Sequence, residues 1–217
     1  MKIFLDTADV KIIGKHFIET GLIDGVTTNP SLIMKSGKQP DDVYFKLFTL
    51  GVKDVSMEVV SNTAKGMVEE ADRLIGKFHD IVTIKVPCTR EGLIACKELS
   101  DRGIRVNVTL IFSASQAILS AKAGATYISP FVGRVEDNSF DGVAVVREIA
   151  SLYAKQNIKT EVLAASLRDV HSVARCYEDG ADIVTMPPAV FEGMYKHILT
   201  DKGLDLFDKD YAASVKE

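Results

Sequence analysis

The sequence predicts an α/β protein, a single-domain (β/α)8 (TIM) barrel over residues 1–217. Three observations lead there. Eight short, β-rich apolar runs alternate with amphipathic helical stretches along the chain. No Gly/Ser linker, low-complexity tract or break in composition divides it. The 217 residues suffice for one large core and match the usual span of such a barrel.

The strand expectations, in order, are 2–5, 25–28, 55–59, 81–86, 105–110, 127–129, 161–164 and 183–185. They are rich in Val, Ile, Leu and Thr, which suit a pleated, buried surface. Helical periodicity occupies 63–78, 91–101, 113–123, 142–155 and 167–179. Gly103, Gly124 and Gly180 follow or end three of these stretches, as helix C-caps do. Residues 188–198 read as the eighth helix, and 204–215 as an extra C-terminal helix. Strands that alternate with helices are parallel and joined by right-handed crossovers. Eight of them close a barrel. A doubly wound open sheet is the alternative, but it normally carries a Gly-rich phosphate loop after its first strand. Here the first strand runs into Asp6-Thr7-Ala8-Asp9.

Composition excludes several classes. With 47% hydrophobic and 26% charged residues, the chain is ordinary for a soluble globular protein. A net charge of −4 argues against nucleic acid as a partner, because a phosphate backbone needs a basic surface. No apolar run approaches the roughly 18 to 20 residues of a membrane span, and MKIFLD has no signal-peptide core. Three cysteines without paired spacing (Cys88, Cys96, Cys176) fit a reducing cytoplasm.

A barrel places its site at the C-terminal ends of its strands. In order, those ends carry Asp6; Thr27, Thr28 and Asn29; Glu58; Lys85; Asn107 and Thr109; Ser129, with Phe131 and Arg134 beyond; and Ser166 with Arg168. An apolar core does not favour such groups, so their gathering at one rim is the main functional signal.

Lys85 is the sharpest of them. Strand residues alternate faces, so Val82, Ile84 and Val86 share one side and Ile81, Thr83 and Lys85 the other. The aliphatic side suits packing against helices, which turns Lys85 into the barrel. Burying an ammonium is costly, so the neutral amine becomes available. It can attack a ketone to form an iminium, an electron sink for carbon–carbon cleavage. The plainer alternatives are a lysine that snorkels to the rim or pairs structurally with Glu58 or Asp6. Asp6 and Glu58 can carry the proton transfers such chemistry needs. Asp6 could instead cap the first helix, although Asp9 is the more natural N-cap.

Arg134 and Arg168 follow the sixth and seventh strands, and Ser166-Leu167-Arg168 opens an expected helix whose free N–H groups favour an anion. A phosphate site is expected there; two surface arginines are the alternative. His16, His79, His171 and His197 fall away from the strand ends, and no His/Cys/carboxylate set converges. A metal is therefore not expected. Cys88 reads as a small packing residue, and no G-x-x-x-x-G-K-[ST] loop occurs.

FLDTAD (4–9), GVTTNPSLI (25–33), VSMEVVS (55–61), VTIKVPCT (82–89), NVTLIFS (107–113), YISPFVGR (127–134) and LAASLRD (163–169) carry a resemblance. Over nearly its whole length the chain resembles the small transaldolase subfamily, close to the fructose-6-phosphate aldolases. The resemblance implies that Lys85 forms the Schiff base, and that Asp6 takes and returns the proton of the C4 hydroxyl. It implies that Glu58 and Thr109 hold a catalytic water. Asn29, Asn107, Ser129 and Ser166 would bind the hydroxyls of a dihydroxyacetone unit, and Arg134 and Arg168 the phosphate of the sugar-phosphate substrates. No cofactor is implied, because the iminium is the electron sink. Homo-oligomers, rings of five that stack into tens, are implied as well; Leu204, Leu206, Phe207 and Tyr211 would either reach a neighbour or close the chain's own barrel base.

The sister aldolases carry a tyrosine in the motif that reads Ser-Pro-Phe-Val-Gly-Arg here, and a glutamine where this chain has Glu58. A phenol can place a water near the enamine and help it leave as free dihydroxyacetone; Phe131 cannot. The expectation is therefore transfer rather than plain aldol cleavage, in the pentose phosphate pathway. The alternatives are fructose-6-phosphate aldolase and a non-catalytic barrel that binds sugar phosphates.

Overall fold

The computed structural model describes residues 1–215. Its elements run β1 (Lys2–Asp6), α1 (Val10–Thr20), β2 (Gly25–Thr27), α2 (Pro30–Ser36), α3 (Pro40–Thr49), β3 (Val55–Glu58), α4 (Ala64–Phe78) and, after a 3-10 turn at His79–Ile81, β4 (Val82–Pro87). They continue with α5 (Arg90–Asp101), β5 (Val106–Ile111), α6 (Ala114–Lys122), β6 (Tyr127–Pro130), α7 (Val132–Glu136), α8 (Gly142–Lys155) and β7 (Glu161–Ala164). The last are α9 (Val170–Glu178), β8 (Ile183–Met186), α10 (Pro188–Gly193) and α11 (Ile198–Ser214). The strands are parallel and close a barrel in sequence order, β8 pairing with β1. The (β/α)8 expectation is met, and the open-sheet alternative is excluded.

Alternation decides what faces where. Val82, Ile84 and Val86 join the main core between strands and helices, while Thr83 and Lys85 turn inward. Burying each aliphatic side chain stabilises the fold by roughly 1.5–3 kcal/mol. That outer layer holds the barrel together and leaves its interior free to carry polar groups. A second, smaller apolar cluster of Phe4, Tyr127, Leu163, Ala165 and Ile183 fills the interior. Gly25 makes room for it, since a Cβ there would lie 2.7 Å from Phe4 Cζ.

Three boundaries differ from expectation by three residues or more. The stretch 167–179 becomes helical only at Val170, because Asp169 serves as the N-cap and accepts from Ser172 N at 2.8 Å. The eighth helix stops at Gly193, and Ile198 starts the C-terminal helix rather than ending the previous one. That last helix, α11, has no buried residue: Leu204, Leu206, Phe207 and Tyr211 are all exposed, so they do not close the barrel base. Asp9 caps α1 by accepting from Lys11 N and Ile12 N at 2.9 and 3.2 Å, so Asp6 is not used as a cap. Among the described residues no helix is long and apolar enough to cross a membrane.

Candidate active site

Strand register builds the site. Pairing β3 with β4 and β4 with β5 sets Glu58 beside Lys85 and Lys85 beside Asn107. Lys85 is 4% exposed, too buried to snorkel. Its Nζ lies 3.0 Å from Glu58 Oε2 and donates to Thr28 O at 3.0 Å. A buried ammonium survives only with such partners. A structural and a catalytic reading of Lys85 share this contact, and what separates the two readings is the space beside it.

That space is a cavity of about 100 Å³, lined by Asp6, Asn29, Lys85, Ser129, Arg134 and Ser166, together with Thr27, Phe131, Ala165 and Thr185. It is the room of about three waters. A three-carbon fragment fits; a whole sugar phosphate must extend out of the mouth. A larger hollow of about 900 Å³ lies outside the barrel between α5 and α6, lined by Leu93, Ile94 and Leu119. It contains Cys88 but none of the rim groups, so size is a poor guide to chemistry here.

Asp6 ends β1 in the cavity wall. Burial pushes its carboxyl above the usual range, against the pull of Lys85 and the Thr27 hydroxyl; Glu58 adds to the rise. Thr27 Oγ1 donates to Asp6 Oδ1 at 2.8 Å. A carboxyl that holds its proton more readily is suited to taking and returning one.

The amides are fixed in place. Asn107 Nδ2 donates to Ser56 Oγ at 3.1 Å, and Asn107 Oδ1 accepts from Ser129 Oγ at 2.7 Å. Asn29 Oδ1 caps α2 by accepting from Leu32 N at 2.9 Å, which leaves its amide nitrogen for the cavity. Thr109 Oγ1 is buried with no hydrogen-bond partner among the described residues. Such a hydroxyl calls for a bound water or ligand. Glu58 does not line that cavity; it borders a second one of about 340 Å³ between α2, α3 and α4, so it lies between the lysine and a separate opening.

The two arginines part company. Arg134 lines the cavity, its guanidinium carbon 4.9 Å from the centre of the Phe131 ring. Arg168 does not line it and makes a two-pronged ion pair with Asp137. Its stem crosses Gly133, where a Cβ would come 2.9 Å from Arg168 Nε and 2.3 Å from Ser166 O. Only glycine lets the two arginine-bearing segments pack so closely. The expected anion-binding helix start at Ser166–Arg168 is not there, since α9 begins later and the Asp169 carboxylate fills its N-terminus. Ser166 itself has φ of 62°, strained for a non-glycine residue, and lines the cavity.

Ser56 and Thr185 escaped the sequence reading. Both are small hydroxyls inside strands, where such residues are common for packing reasons alone. No group of three or more metal-ligating side chains occurs among the described residues.

A lysine, two carboxylates and an arginine meet at the C-terminal rim of a parallel eight-stranded barrel, where barrels of this kind place their sites. The chain belongs to the transaldolase/fructose-6-phosphate aldolase family, whose model matches residues 3–217. It is 50% identical over 214 residues to a probable transaldolase of Caulobacter vibrioides, which covers 99% of this chain and 98% of that protein. It is 51% identical over 212 residues to a probable transaldolase of a Chelativorans species (98% and 97% covered). A probable transaldolase of Paracoccus denitrificans is 49% identical over 212 residues, with 98% and 97% covered.

Proposed function

We propose that this chain is a transaldolase of the pentose phosphate pathway, acting in the cytoplasm. It moves a dihydroxyacetone unit from sedoheptulose 7-phosphate to glyceraldehyde 3-phosphate and yields erythrose 4-phosphate and fructose 6-phosphate. The observation that carries this reading is Lys85, buried and 3.0 Å from Glu58, opening with Asp6 onto a cavity the size of a three-carbon unit.

Lys85 Nζ attacks the C2 ketone, and the carbinolamine loses water to give an iminium. Glu58, with a water bound to it and to the unpaired Thr109 hydroxyl, supplies and removes the protons of that step. Asp6 takes the C4 hydroxyl proton, the C3–C4 bond breaks, and its electrons enter the iminium to form an enamine. The aldehyde product leaves. The enamine carbon then attacks the acceptor aldehyde, Asp6 returns the proton, and water releases the ketose. Asn29, Asn107, Ser129 and Ser166 hold the hydroxyls. Arg134 takes the phosphate at the mouth, and Arg168 joins it once released from Asp137.

Phe131 lines the cavity without a hydroxyl to deliver a proton to the enamine, which favours transfer over release. The test pairs two incubations of fructose 6-phosphate, with and without erythrose 4-phosphate, while glyceraldehyde 3-phosphate is followed. Release that depends on the acceptor is expected. Equal release without it, with free dihydroxyacetone, makes the protein an aldolase. Lys85→Met should abolish borohydride trapping of fructose 6-phosphate on the protein; a covalent label that persists removes Lys85 from the mechanism.

The same reading includes assembly of several copies, pentamers or decamers. The support is α11, a 17-residue helix that leaves Leu204, Leu206, Phe207 and Tyr211 uncovered, with Leu204, Phe207 and Tyr211 spaced along one face. Contiguous exposed apolar surface of this kind marks contact sites. A sedimentation mass of one chain overturns the assembly.

A further inference from the structure

Thr185 reaches the cavity from β8. It is buried, as is Thr27, and the two hydroxyl oxygens lie 2.6 Å apart. The strands that carry them flank β1, so the pair sits against the strand that ends in Asp6.

Proton counting fixes the direction of this chain. An ionised carboxylate only accepts, and each hydroxyl has one proton to give. Thr27 spends its proton on Asp6 at 2.8 Å, so the bond between the threonines must be donated by Thr185. The order is Thr185 to Thr27 to Asp6. When Asp6 is protonated the chain can reverse, each hydroxyl turning to accept. Bonds in such a chain polarise one another and strengthen toward the charge at its end.

We propose that Thr185 is a positioning residue: through Thr27 it orients Asp6 and holds it ionised for the proton transfer at the C4 hydroxyl. This rests on the reading of Asp6 as the proton-transfer group. The other charged groups facing Asp6 are Lys85 from β4, which favours the carboxylate, and Glu58 from β3, which opposes it; Arg134 from α7 borders the same cavity. None of them bonds to Thr185, so a change at residue 185 acts along the threonine chain.

The experiment titrates the Asp6 carboxyl carbon by NMR in protein labelled with 13C at aspartate side chains, the signal being assigned by its loss in Asp6→Asn. Wild type, Thr185→Val, Thr185→Ser and Thr27→Val are compared. Removing one hydroxyl donor from the chain should raise the Asp6 midpoint by roughly half a unit in T185V. T27V should raise it more, and T185S should restore the wild-type value. In T185V the acid limb of kcat moves up with it, while KM for fructose 6-phosphate stays. Coincident titrations of wild type and T185V, or a shift that serine does not reverse, overturn the proposal. Should T185V fail to fold by circular dichroism, Thr185→Ala takes its place under the same criteria. Borohydride trapping on the wild type reports separately on the transaldolase reading: its failure sinks that reading, while the titration still decides the coupling.

Discussion

Asp6, half-buried at the top of the barrel, and Asp54, buried at the bottom, belong to the same ring of strands, yet they are held in opposite ways. Asp54 accepts from Thr83 Oγ1 at 2.8 Å, Tyr127 OH at 2.7 Å and Arg105 Nη1 at 3.2 Å. Asp6 accepts from Thr27 alone and otherwise faces the cavity. Burial pushes both carboxyls above their usual range. At the bottom, donors from three strand segments occupy the oxygens and tie them together. At the top the same desolvation is opposed by Lys85 and by one hydroxyl donor, Thr27, which leaves carboxylate lone pairs open to the cavity. A carboxylate becomes a clasp or a base according to how many donors surround it.

The largest effect that tests this contrast is on activity at Asp6. Asp6→Asn keeps the shape and removes the carboxylate that the proposed mechanism uses as its base, so kcat should fall by about 10²–10⁴. Its stability should move the other way. The folded pKa of Asp6 is raised, so its carboxyl favours folding most at low pH and loses that advantage as pH rises through the folded value. The amide pays no such penalty. The melting temperature of D6N should therefore exceed wild type at neutral pH, and the gap should close as pH falls toward the ordinary carboxylate range. Scanning calorimetry across that window checks it; a variant less stable than wild type at pH 7 would mean that Asp6 is a structural partner of Lys85.

Asp54→Ala should show the inverse profile. It removes one partner of the part-exposed Arg105 guanidinium, which keeps Asp80 O and Val82 O, and leaves the hydroxyls of Thr83 and Tyr127 without their acceptor, a loss of about 1–3 kcal/mol. Denaturant unfolding should report that loss. Borohydride trapping at Lys85 in the folded fraction should persist, because the Glu58 and Thr28 contacts of Lys85 do not involve Asp54. Loss of trapping in folded D54A would show that the barrel floor also sets the geometry of the rim.

The same contrast explains what could be read from the chain. Asp6, Glu58 and Lys85 stood out because each interrupts an aliphatic strand on its inward face, close to its end, where packing offers no reason for a charge. The partners that tune them did not stand out. Thr185 and Ser56 are small strand residues that packing alone would justify. Asp54 precedes its strand, and nothing local announces that Arg105 and Tyr127 will meet it from 51 and 73 residues away. The pairing of Arg168 with Asp137 is likewise set by fold rather than by neighbours in sequence. α9 starts three residues after the expected position 167 because Asp169, three residues before Ser172, is the cap that overrides the apolar period Leu167 continues. α10 ends at Gly193 with Met194 as its C-cap in right-handed conformation, so no left-handed glycine marks the stop in the sequence.

The smallest effect concerns the wall opposite the base. Phe131 lines the cavity, with the Phe112 ring 5.9 Å away edge-on and the Arg134 guanidinium over its face. Those contacts hold the ring by dispersion and cation–π attraction, neither of which needs a hydroxyl. Phe131→Tyr should therefore fold with unchanged stability and place a phenol at the cavity wall. A phenol there can order a water beside the enamine carbon and deliver a proton in place of the acceptor aldehyde. Free dihydroxyacetone release from fructose 6-phosphate without acceptor should rise several-fold, at the expense of transfer, and adding Glu58→Gln should extend the change. An unchanged ratio of release to transfer would mean that the enamine's fate is set by access of the acceptor at the Arg134 mouth, and that the ring at residue 131 acts only as a wall.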